Sequence, residues 1–136
     1  MRTQSLLCAV AIVSLISGCR YGVSARTFPP ALGPNGVTIR VSTENQQFVG
    51  ELLEVRDTAF VLLSNRTVRL LPYSVIVEAN ARGGDSTLTV RGGRPPDSGT
   101  QEKLRLLSRF PQGLSPELLG EVLSAHGQTD LADASP

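Results

Sequence analysis

From Val37 to Arg91 short segments that alternate apolar and polar residues, or run apolar for a few residues, are separated by turn residues, which marks that stretch as strands. Val37, Ile39 and Val41 alternate with Thr38, Arg40 and Ser42, the pattern of a half-buried strand. Gln46 to Arg56 follows, with Gly50 at its middle; Phe48 and Leu52 fall on one face, and Val49, Leu53 and Val55 on the other. A strand bent at Gly50 can bury parts of both sets. Thr58 to Ser64 is a compact apolar strand, and Asn65-Arg66 turns it back into Thr67 to Leu71. Pro72 has no N–H to donate and interrupts the ladder, which Val75 to Val77 resumes. Gly83-Gly84-Asp85 marks a hairpin into Ser86 to Arg91, where Leu88 and Val90 alternate with Thr87 and Thr89. Closing five or six such strands into a small barrel over 37–91 removes most exposed edges.

The C-terminal third changes period. Gly92 to Gly99 is a loop by composition, and Thr100 to Phe110 carries leucines at helical spacing until Pro111 stops it. Ser115-Pro116-Glu117 supplies a hydroxyl cap, a proline for the first turn and an acid near the positive helix end. Leu118, Leu119, Val122 and Leu123 then form an apolar stripe ending before Gly127. The expected class is mainly β with C-terminal helices (α+β): a barrel, a loop and helical hairpin over 92–127, and a disordered tail over 128–136. The stripe needs burial on the barrel or on another subunit, so these four residues are the candidate interaction surface. Gln101 to Arg109, with three basic residues and one acid opposite its leucines, either packs on the barrel or meets anionic headgroups or a partner.

Little in the chain can carry chemistry. Of 136 residues, 40% are hydrophobic and 18% charged, enough for a small core and too few charges for a disordered polyelectrolyte. Thirteen basic residues against twelve acidic ones leave no basic surplus for nucleic acid. One histidine and scattered carboxylates lack metal-ligand spacing, so neither a metal nor another cofactor is expected. Gly84-Asp85-Ser86 resembles the nucleophile motif of some esterases, which would make Ser86, Asp85 and His126 the residues of an envelope hydrolase. The simpler reading is a hairpin turn, with His126 as a helix C-terminal cap. Arg82-Gly83-Gly84 and Arg91-Gly92-Gly93 read as turn chemistry flanking that hairpin.

The N-terminus sets the address. Arg2 precedes an apolar run from Leu6 to Ile16, shorter than the ~20 residues that span a bilayer. Ile16-Ser17-Gly18-Cys19 follows, and this resembles the lipobox of bacterial lipoproteins. The resemblance implies a signal peptide over 1–18, cleavage between Gly18 and Cys19, and diacylglyceryl and N-acyl lipid on Cys19. Arg20 in place of Asp implies sorting to the outer membrane on its periplasmic side, with the inner membrane or cell surface as alternatives. Cleavage also removes Cys8, so the mature domain has no thiol left for a disulfide. Residues 20–36, broken by Pro29-Pro30, Gly33-Pro34 and Asn35-Gly36, complete a flexible tether over 19–36.

From Val37 to Val77 the order is a strand, a long strand with a central glycine, an apolar strand, and a strand broken at Pro72-Tyr73-Ser74. This resembles Sm-like and SH3-like barrels. It departs from the RNA-binding members: Asp57 is followed by Thr58 to Val61 without an Asn, and Pro72-Tyr73 stands where they carry Arg-Gly. Nucleic acid is therefore not an expected partner. The expected function is a non-enzymatic, membrane-anchored protein-interaction module of the cell envelope, with a structural homo-oligomer as the alternative. Replacing the sulfur tests the anchor: Cys19→Ala abolishes palmitate labelling and releases the protein from the membrane fraction.

Overall fold

Alternation over the middle of the chain produces one curled sheet whose residues reach into a common core. The computed structural model describes residues 35–134. The strands are β1 (Thr38–Thr43), β2 (Gln47–Val55), β3 (Ala59–Ser64), β4 (Thr67–Pro72), β5 (Ile76–Gly83), β6 (Ser86–Arg91) and β7 (Ala132–Asp133). Their order across the sheet is β6-β5-β1-β2-β3-β4-β7. All neighbours are antiparallel except β4 and β7. A single 3-10 turn, Tyr73–Val75, joins β4 to β5. Two helices follow β6: α1 (Ser98–Leu107), capped by Asp97, and α2 (Pro116–Ala125), capped by Ser115 with Pro116 in its first turn. The expected α+β class with a dominant sheet is what forms.

The main core takes inward side chains from β1 to β6, together with Tyr73 and Leu104 of α1. A second cluster lies on the other face of β2, β3 and β4, where Leu53, Val61 and Val68 meet Leu123 of α2. β3 is therefore buried on both faces, which explains its unbroken apolar run. Asn65 and Arg66 both have positive φ, 51° and 65°, as a two-residue type I′ hairpin requires.

Four expectations are corrected. The sheet has seven strands, not five or six, and its order is open from β6 to β7. The extra strand comes from the stretch expected to be disordered, because the Gln128 side-chain amide both donates to the Val68 carbonyl (3.0 Å) and accepts from its N–H (2.6 Å). β7 then pairs with β4 at Arg69 and Leu70. The helices form no mutual hairpin core: Leu104 joins the main cluster and Leu123 the second. Asn35 and Gly36, expected at the end of a flexible tether, are bonded to the domain, since Gly36 N–H donates to Glu51 (2.7 Å) and Asn35 accepts from Arg109. Residues 1–34, on which the expected signal peptide, Gly18, Cys19 and the rest of the expected tether fall, lie outside the described residues.

The fourth correction concerns β2. The strand does not change faces at Gly50 but at a bulge between Leu52 and Glu54, where its register against β3 shifts by one residue. Leu52 and Val55 both reach the main core, Leu53 reaches the second cluster, and Val49 stays outside, 45% exposed. Gly50 is needed for a different reason. A Cβ there would lie 2.2 Å from the Leu63 carbonyl oxygen of the neighbouring strand. Gly50→Val accordingly destabilises the domain by about 3 kcal/mol or more, because backbone rather than a movable side chain must yield. Chemical denaturation of the two proteins measures it.

Candidate functional site

The residues singled out in the sequence do not converge. Leu123 is buried, and Leu119 and Val122 pack against the second cluster, so the stripe of α2 is largely consumed inside the molecule; Leu118 is half-buried beside it. Of the two readings of the stripe, burial against the sheet is the one these residues take: β2, β3 and β4 have an apolar outer face that α2 covers. The basic helix is likewise engaged. Arg105 pairs with Asp57 (2.7 Å), and Arg109 makes a bidentate pair with Glu51. Asp85 sits in the β5–β6 turn and Ser86 opens β6, whereas His126 caps α2 with its N–H on the Leu123 carbonyl. No hydrogen bond joins these three side chains among the described residues. Within the same residues no cluster of three His, Cys, Asp or Glu side chains could hold a metal, and no helix is long and apolar enough to cross a membrane.

A groove of about 650 Å³ lies at one end of the sheet. The β1–β2 turn, the β4–β5 turn, the exit of β6 and the end of β7 build its walls. Each wall has a local cause. Thr43 closes the first turn, its Oγ1 both donating to and accepting from Gln46 backbone groups (3.1 Å each), which lifts Glu44 and Asn45 to the rim. Gly92 and Gly93 have φ of 78° and 63°, conformations that side chains resist, and they donate to the Val77 and Ile76 carbonyls (3.1 and 3.0 Å). Asp133 and Ala134 arrive through the β4–β7 pairing.

Tyr73 fixes the β4–β5 wall. Its ring meets Phe60 edge-on with centroids 4.9 Å apart, and its hydroxyl donates to the Arg56 carbonyl (3.0 Å). Its N–H bonds the Thr58 carbonyl (2.9 Å). With Tyr73 and Ile76 inside, Val75 and Val77 must face out, and they are 41% and 51% exposed in the groove. The groove thus joins two exposed valines to the carboxylates of Glu44 and Asp133, and no lysine or arginine lines it. Such a surface suits an extended segment with apolar side chains and a cationic group. Sequence reasoning missed it, although alternation around Ile76 already places Val75 and Val77 outward; the joining of two turns with the ends of β6 and β7 has no local signal.

Burial pushes the Tyr73 phenol up to about 12 from the usual 10, the nearby Arg105 charge opposing this. A raised phenol favours the protonated form in the folded state. The resulting stability is complete below pH 10 and is lost as pH rises through 12. Tyr73→Phe should flatten that alkaline fall and cost about 1 kcal/mol at neutral pH through the lost hydrogen bond, read by thermal unfolding across pH. Comparison with known protein families, with curated proteins and with solved structures finds no match for this chain.

Proposed function

We propose that this chain is a membrane-anchored bacterial lipoprotein, cut between Gly18 and Cys19 and lipidated on Cys19, whose folded module binds a protein partner in the cell envelope without catalysing a reaction. The anchor reading rests on the charge, apolar run and Ile16-Ser17-Gly18-Cys19 order of the N-terminus. The binding reading rests on one observation: two exposed valines and two acidic residues share a groove built by hydrogen-bonded turns. The favoured occupant is an extended partner segment bearing apolar and basic side chains. The outer membrane, periplasmic side, is the proposed location. We also read β1 to β5 as an Sm-like or SH3-like unit, supported by the order β5-β1-β2-β3-β4 and the single helical turn between β4 and β5.

Photo-crosslinking in the native cell tests the groove. A photoreactive residue at Val77 should capture an envelope protein, and the same residue at Val49, exposed on another surface, should not. Glu44→Arg with Asp133→Arg should remove the crosslink. Equal capture from both positions, or a mature chain with unmodified Cys19 in the cytosol, overturns the proposal.

A further inference from the structure

The two edges of the sheet are treated differently. At the β4 edge, Gln128 occupies both backbone groups of Val68 and β7 pairs beyond it. At the other edge, among the described residues, nothing pairs with the outer side of β6. β6 has six residues, Ser86–Arg91, without Pro or Lys, and it carries β-branched residues at Thr87, Thr89 and Val90. Such an edge is a template for another strand.

The ladder shows which backbone groups are available. Gly83 and Ser86 close a two-residue hairpin, and Gly92 N–H bonds Val77, so bonded pairs recur at even positions of β6. Ser86, Leu88 and Val90 therefore bond β5, while Thr87, Thr89 and Arg91 point their N–H and C=O groups outward. All three are exposed.

We propose that β6 is a self-pairing edge, through which two copies join antiparallel about a twofold axis at Thr89. In that register Thr89 exchanges hydrogen bonds with the partner's Thr89, and Thr87 with the partner's Arg91. The half-buried Leu88 comes beside the partner's Val90 on the core side, extending both cores. Charge complements the geometry. Arg91 stands diagonal to the partner's Asp85, about 7–8 Å away, within reach of a guanidinium. Arg91 is already ordered by Glu78 (2.9 Å), and Thr89 by Asn80 (2.8 Å). An axis at Leu88 is poorer, because it sets Arg91 against Asp85 in the turn and leaves only Thr87 and Thr89 to exchange bonds.

Sedimentation of the full chain in density-matched detergent, over rising concentration, tests the pairing. Wild type should approach the dimer mass. Thr89→Pro removes the outward N–H and the exposed side-chain bond to Asn80, so it should give a monomer that still unfolds cooperatively, with at most a small drop in thermal midpoint. Asp85→Arg and Arg91→Asp should each weaken the dimer about tenfold, and the double reversal should restore it. A wild-type monomer at every concentration, a Thr89→Pro dimer of undiminished affinity, or a double variant no tighter than the singles overturns the proposal.

Discussion

The one-residue slip of β2 at Leu53 is the constraint on which the rest of the domain depends. Beside it the Leu52 and Leu53 carbonyls accept from Arg109 and Phe110 N–H (3.0 and 2.9 Å), while Leu52 N–H donates to Val37 (2.9 Å), whose own N–H goes to the Leu107 carbonyl. The acids on either side complete the seam. Glu51 holds Arg109 and the N–H of Gly36, while the buried Glu54 accepts from Leu114 (2.9 Å) and pairs with Arg56 (2.7 Å). A buried carboxylate is tolerable only with such partners. The same slip lets neighbouring residues serve two cores, so both helices are positioned from one point on one strand.

A sheet covered on one side by its own curl and on the other by α2 has few faces left for partners. Binding is then pushed to ends and edges. The groove forms at an end, where irregular turns leave space that regular packing would fill. β6 remains at an edge, because the chain after Arg91 departs through two left-handed glycines rather than turning back to cover it.

Much of the fold is legible in the sequence where structure is set by near neighbours. The strands around Ile39, Phe60 and Leu88, the Asn65-Arg66 reversal and the Ser115 cap all follow from short-range pattern. What is not legible is set by residues distant in sequence. Gln128 reads as part of a polar tail, and its bond to Val68, sixty positions away, makes an ordered strand possible. Gly50 is visible as an interruption, yet the Leu63 carbonyl that requires it lies across a strand pair. The face change of β2 is signalled by Phe48, Leu52 and Val55 sharing a core against parity, but which residue is the extra one depends on β3. The groove was illegible for the same reason, since two turns and the ends of β6 and β7 meet only after the sheet has curled.

The clamp at Gly36 gives the domain a direction. The described chain enters at Asn35, held by Arg109 at one end of β1, and the valine-lined groove begins at Thr43 at the other. A six-residue strand separates the two by about 20 Å. Asn35 and the groove therefore sit at opposite ends of β1, so a segment seated in the groove meets the domain from the side away from Asn35.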